Sequence, residues 1–276
     1  MKYSILTILI LGSVLPLHAE PVIYEPFDGP SGESVTESRD GIGFDKNHKG
    51  NNWNNTTGLR GTANLHRDGL AFPGLQTKGN ALLLDFSNNA GNETLEVSAV
   101  FTDGLPEDQP VWVSFLCQLH GVDDDDVANN ATAFLRILSP QAEIKFRCGI
   151  SDKTTQIRHS GELSNEGRSR KFSLKAEKTY LLVARFPSAE ESDRDCELWL
   201  LDSQLPEGIA SQDASTIEAQ LKRAAVSTAS ATATGAVIEA GDQLVIGLWG
   251  RHDTTFSSLI DEIRIGSTPQ DVLPPK

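Results

Sequence analysis

Four consecutive acids, Asp123 to Asp126, are the densest set of hard oxygen donors in the chain. Carboxylates on a loop are the ligands that Ca²⁺ takes, although this run has neither the alternating ligand spacing of an EF-hand nor a glycine at its bend. A solvated acidic loop is the competing reading. Asp28 and Asp261 form a second candidate pair for a cation. Asp261 stands in Ser257-Ser258-Leu259-Ile260-Asp261-Glu262-Ile263-Arg264-Ile265-Gly266. Strict alternation there puts Leu259, Asp261, Ile263 and Ile265 on one face and Ile260, Glu262 and Arg264 on the other. A carboxylate among apolar neighbours needs backbone N–H donors or a cation. The same alternation sends Asp261 and Glu262 to opposite faces, so they do not form the pair of carboxylates roughly 5 Å apart that retaining glycoside cleavage uses. His48, His66, His120, His159 and His252 show no paired ligand spacing and are expected on the surface or in loops.

Ligand binding, as distinct from catalysis, points to the aromatic residues. Trp53 lies in Asn51-Asn52-Trp53-Asn54-Asn55, where Asn52 and Asn54 offer amides to hydroxyl groups beside an indole on which a sugar ring could stack. Trp112, Trp199 and Trp249 are further candidates, each within or at the end of an expected strand. A core role is the alternative for all four, since large aromatics supply much of a sandwich core.

These side chains need strands to position them. Alternating or continuously apolar runs occur at Val22 to Phe27, Asn80 to Phe86, Thr94 to Phe101, Val111 to Leu119, Ala133 to Leu138, Glu143 to Ile150, Thr155 to His159, Tyr180 to Phe186, Cys196 to Leu201, Leu244 to Trp249 and the closing Ser257 to Gly266. Clusters of Gly, Pro, Asn and Asp separate them, the spacing of an all-β sandwich. Ser215-Thr216-Ile217-Glu218 matches a capping box and predicts one short helix over Ala214 to Ala225. The Ala- and Thr-rich Ser227 to Gly235 stretch reads as an exposed loop. Cys117, Cys148 and Cys196 fall in strands, as three buried thiols or as one disulfide with a thiol left over.

Three segments, Tyr24-Glu25-Pro26-Phe27-Asp28, Gly69-Leu70-Ala71-Phe72-Pro73-Gly74-Leu75 and Asp261-Glu262-Ile263-Arg264-Ile265-Gly266, resemble the motifs of laminin-G/concanavalin A-like jelly-roll domains secreted by planctomycete and verrucomicrobial bacteria. In that group the first and last segments open and close the domain, and a Gly- and aromatic-rich loop follows the first; here it spans Gly41 to Trp53, with Phe44 in place of an expected Trp. The resemblance implies a two-sheet concanavalin A-like (LamG-like) jelly-roll sandwich, and Ca²⁺ as the cofactor such domains often carry. Glycosidases of this fold bear Glu-x-Asp-x-x-Glu, which is missing. Its polysaccharide lyases bear Arg-x-Glu-Leu, Gln-Ile-His and Tyr-Lys-rich strands, of which only Gln156-Ile157-Arg158-His159 is loosely similar.

Lys2 and the apolar run from Ile5 to Leu15, ending at Ala19, have the layout of a secretory signal peptide. Residues 1–19 are therefore expected to be removed, leaving 20–276 as one secreted or periplasmic domain. The apolar run is shorter than the roughly 20 residues a spanning helix needs, so no membrane insertion is expected. A formal net charge of −14 opposes binding to nucleic acid, whose phosphates need a basic surface. Three roles follow: a non-catalytic module for carbohydrate or extracellular matrix, which the residues favour; a structural surface protein without a small ligand; or a diverged polysaccharide hydrolase or lyase.

Overall fold

The computed structural model of the chain describes residues 23–37, 41–45, 53–57, 61–86, 93–120, 131–151, 155–159, 166–168, 174–191, 193–232, 235–250 and 256–274. Fifteen strands occur in it: β1 (Ile23–Glu25), β2 (Asn54–Thr57), β3 (Thr62–His66), β4 (Ala81–Asp85), β5 (Glu93–Val100), β6 (Val111–His120), β7 (Ala131–Leu138), β8 (Ile144–Ser151), β9 (Thr155–His159), β10 (Glu166–Arg168), β11 (Tyr180–Phe186), β12 (Asp195–Leu201), β13 (Ser227–Thr232), β14 (Gln243–Gly250) and β15 (Ser257–Gly266). They form the expected all-β, two-sheet sandwich. One sheet has eight strands in the order β13-β12-β11-β6-β15-β4-β3, with β1 also paired to β15. The other has seven, in the order β10-β9-β8-β7-β14-β5-β2.

Alternation decides which face meets the partner sheet. On β6, Val113, Phe115 and Cys117 enter the core between the sheets, with Phe146 of β8 against Phe186 of β11 at 4.2 Å. Trp112 and Leu116 point the other way, into a second apolar cluster on the outer face of the eight-stranded sheet. Leu70, Phe72 and Leu75 of the 67–80 loop join that cluster, as do Ile217 and Leu221 of helix α1 (Ala214–Ala224).

Two expectations are corrected, the capping box and the loop after Ser227. Helix α1 is capped by Asp213, whose carboxylate accepts the Thr216 N–H at 2.9 Å, while Glu218 pairs with Arg185 and Arg194 in place of closing a capping box. A second helical turn, α2 (Pro269–Val272), follows β15 with its own capping box of Thr268 and Asp271. The stretch after Ser227 is an edge strand, β13: Ser227, Ala229 and Ala231 are buried and the residues between them exposed. Its period of two is hidden because both faces carry small residues. The three cysteines are buried free thiols.

Candidate functional site

β15 departs from its own sequence pattern at Glu262. A register shift against β6 falls between Asp261 and Arg264, and Glu262 takes a φ of 53°. A β-bulge of this kind adds a residue to one strand and re-aims the side chains beyond it. Ile260 before it and Ile263 and Ile265 after it face the inter-sheet core, whereas Leu259 joins the outer cluster. Asp261 and Glu262 therefore both reach the groups of the 67–80 loop over the outer face, contrary to the opposite-face reading. Asp261 accepts the N–H of Leu70 and that of Glu262, each at 2.7 Å. Glu262 accepts from Lys78 N–H, from Tyr24 Oη at 3.0 Å and from Arg264. Arg264 also donates to the Gln76 carbonyl at 2.6 Å and lies over the Tyr24 ring. Burial, and the Glu262 carboxylate beside it, push Asp261 up to about 9.

Glycine is required where the loop crosses these acids. A Cβ at Gly69 would stand 3.0 Å from Asp261 Oδ2, and one at Gly79 would stand 2.7 Å from Asp28 Oδ1. Asp261 and Asp28 thus each stand against a loop glycine, Gly69 and Gly79, whose backbone approaches closely. Among the described residues no group of three or more His, Cys, Asp or Glu is arranged to hold a metal. A desolvated Asp261 held by two backbone N–H groups is a poor fit for Ca²⁺. Asp123, Asp124, Asp125 and Asp126 lie outside the described residues, as does Asn52.

The indoles are placed mostly in the interior. Trp53 is fully buried, packs against Phe27 and Phe44, and donates Nε1–H to Glu25 at 2.6 Å. Its ring is core, not a platform. Trp112 and Trp199 are buried and stacked on each other, centroids 5.9 Å apart, under the outer cluster. Trp249 is half-buried on β14, opposite Thr94 and Thr132. Asn54 pairs with Ser98 through the β2 backbone.

A cleft of about 570 Å³ opens elsewhere, on the outer face of the eight-stranded sheet. Register puts Leu83, Leu259 and Gln118 side by side on β4, β15 and β6, with Ser257 opposite His120. His66, Thr179 and the Asp68–Ala71 segment complete the lining. Leu83, Leu259 and Leu70 give it an apolar floor, and imidazoles, an amide and hydroxyls stand around them. Nε2 of His120 is buried without a hydrogen-bond partner among the described residues. Burial lowers the His120 pKa, Glu177 draws it back in part and His66 lowers it further, so the ring is neutral at neutral pH. Gln118 donates to the Glu177 carbonyl. No cleft residue was a ligand candidate in the sequence. The available signal was Gln118-Leu119-His120 at the end of an apolar strand, since polar residues two apart share a face.

No protein-family description matches the sequence, and no curated protein is similar to it. Solved structures similar in fold include endo-1,3-beta-glucanase from Streptomyces sioyaensis, with 12% identity, 91% of this chain and 97% of that chain covered, and a TM-score of 0.48. Lectin II from Ulex europaeus gives 12% identity, coverage of 81% and 95%, and a TM-score of 0.38. The binding domain of botulinum neurotoxin serotype G gives 9% identity over 75% of this chain, with a TM-score of 0.43, and the chain spans 43% of that structure's length. A glucanase and a lectin both stand among these distant likenesses, which do not choose a role for this chain.

Proposed function

We propose that the chain is an exported, non-catalytic domain that binds carbohydrate in the cleft between His66 and His120. The observation that carries the reading is the lining itself: His66, Gln118, His120, Thr179 and Ser257 surround an apolar floor of Leu83 and Leu259. A sugar offers hydroxyls on its rim and C–H groups on its faces, and neutral donors and acceptors over a small apolar surface complement both. The adjacent acids Asp261 and Glu262 are tied to backbone N–H groups beneath the loop and are not presented to a substrate. Export follows from the leader over residues 1–19, and N-terminal sequencing of the secreted protein is expected to begin at Glu20.

A glycan array probed with the secreted protein, in Ca²⁺ and again in EDTA, tests this reading. Binding that persists in EDTA and falls about fivefold or more in His120→Ala and Gln118→Ala is the expected result, each variant losing a hydrogen bond worth about 1 kcal/mol or more. Binding lost in EDTA would transfer the site to the Asp123–Asp126 loop. No binding at all would favour a structural surface protein. The same lining leaves room for a second reading, a diverged polysaccharide lyase, since Gln118 and His120 stand two residues apart on one strand face of the cleft. A polyuronate lyase would raise ultraviolet absorbance as its unsaturated product forms, and the binding reading expects none.

A further inference from the structure

Three residues of β15 fasten the 67–80 loop, and the start of that loop is a wall of the cleft. Asp261 accepts the Leu70 N–H at 2.7 Å, Glu262 accepts the Lys78 N–H, and Arg264 donates to the Gln76 carbonyl at 2.6 Å. Asp68, Gly69, Leu70 and Ala71 line the cleft, whereas Gln76 and Lys78 do not, so Asp261 is the one of the three that holds the wall itself. Of residues 67–71 only Leu70 is buried. Phe72 and Leu75 anchor the middle of the loop in the outer cluster, which leaves the segment ahead of them to Asp261. A Cβ at Gly69 would stand 3.0 Å from Asp261 Oδ2 and 2.7 Å from the Gly79 carbonyl oxygen, so the wall lies directly on the carboxyl.

The two carboxyls under the loop share one buried guanidinium. Arg264 pairs with Glu262 and, among the described residues, not with Asp261; Tyr24 Oη also donates to Glu262, at 3.0 Å. Asp261 is fully buried and is held by the N–H groups of Leu70 and Glu262. Ionised, it would be a second buried negative charge beside Glu262 without a cation of its own, which burial penalises. The other charged groups around it are Lys78 and Asp68 on the loop and Asp28 against Gly79, while β6 and β4 bring Leu116 opposite Asp261 and Leu82 opposite Ile260. Its pKa of about 9 has the same two causes, burial and the neighbouring Glu262. A segment lifted off the strand would return Asp261 to water and to the ordinary carboxylate range. Closure of the segment therefore holds a proton between about pH 4 and about 9, and weakens as pH rises through that range.

We infer that the Asp261 carboxyl is a proton-operated latch on the cleft: protonated, it holds Leu70 and sets the wall from Asp68 to Ala71; ionised, it releases that wall. Its effect on ligand rests on the carbohydrate reading of the cleft, whereas the movement of the wall does not. Ligand is held in neutral or acidic medium and let go in alkaline. His66 and His120 also line the cleft, but an imidazole takes its charge on the acid side of neutral. Burial and Glu262 keep the Tyr24 phenol protonated well above its usual range. A change between about pH 7 and about pH 10 is therefore the carboxyl's.

The test uses the full-length protein with a nitroxide on Ala71→Cys, an exposed position in the wall, the native cysteines being buried. Its electron paramagnetic resonance spectrum is expected to show an immobile label near pH 6 and a mobile component that grows tenfold or more by about pH 10, reverses on return, and leaves the ellipticity spectrum unchanged. In Asp261→Asn, which has no proton to lose, the mobile fraction should not change with pH. Gly69→Ala, whose methyl would press on Asp261 and on the Gly79 carbonyl, should be mobile already near pH 6. Glycan affinity is expected to fall tenfold or more over the same range in the parent and to stay level in Asp261→Asn. The latch is overturned if the parent label is indifferent to pH, or if Asp261→Asn responds as the parent does. A responding label with no glycan bound at any pH supports the latch and removes the carbohydrate reading; glycan binding with an unresponsive label removes the latch and keeps that reading.

Discussion

Asp261 and Glu262 are consecutive, yet both serve the same loop because Glu262 sits at a φ of 53°. Their burial has a pH signature. Asp261 is raised from an ordinary 3.8 to about 9, and Glu262 is raised as well, both chiefly by burial. Between those values the folded state holds a proton that the unfolded chain releases. The contribution to stability is therefore complete below about pH 4 and lost as pH rises toward about 9. Thermal midpoints measured across that range should fall with rising pH, and Asp261→Asn should flatten the decline while lowering the midpoint at its acidic end, because an amide accepts only one of the two N–H bonds. A midpoint that climbs steadily to pH 9 in the parent would contradict the assignment. The sequence made Asp261 legible as a buried carboxylate held by backbone donors. It did not reveal the bulge, because nothing in the local alternation of Ile260 to Ile265 marks the extra residue; only the pairing with β6 does.

Elements were legible where period and residue size agreed. Val111 to Leu119, Tyr180 to Phe186 and Ser257 to Gly266 were read almost to their ends, since bulky β-branched, aliphatic and aromatic residues mark both the strand and its faces. β13 was missed because its buried positions are Ser227, Ala229 and Ala231, too small to stand out from the exposed Thr and Ser between them. β2 and β10 are short and polar, and each pairs with a longer neighbour, β5 and β9, while β3 matches its partner β4 in length. The cleft was missed for a related reason. His66, Gln118 and Ser257 come from three separated stretches and become neighbours only through the register of β3, β4, β15 and β6. At this scale β14 offers its own test. Gly247→Ala is expected to cost about 1–3 kcal/mol by displacing the Phe134 ring, which a Cβ there would overlap, in the range of overpacked sites. In a Phe134→Ala background the same change should be nearly neutral, a coupling that a chemical-denaturation double-mutant cycle measures. Additive effects would mean that Gly247 is there for some reason other than the ring.

Across the whole molecule, the two sheets are held by one continuous apolar core and closed along one side where β13 meets the edge of the other sheet. Thr155 of β9 and Ser227 of β13, both buried, are 3.1 Å apart there. Cys117 and Cys196 enter this core from the eight-stranded sheet and Cys148 from the seven-stranded one. Burial pushes Cys117 and Cys196 up to about 12 and Cys148 higher still. The nucleophile is the thiolate, so both access and ionisation protect these residues as long as the sandwich is closed. All three lie in the one core between the sheets, so they are expected to be freed together. Alkylation by iodoacetamide at mildly alkaline pH should leave the native protein unmodified. With rising urea all three cysteines should become reactive together, over the same transition that tryptophan fluorescence reports. Mass spectrometry of the alkylated protein should show three adducts without a reducing step. Two adducts fewer until reductant is added would reveal a disulfide, and one cysteine reacting well before the others would show that the sheets do not open as a unit.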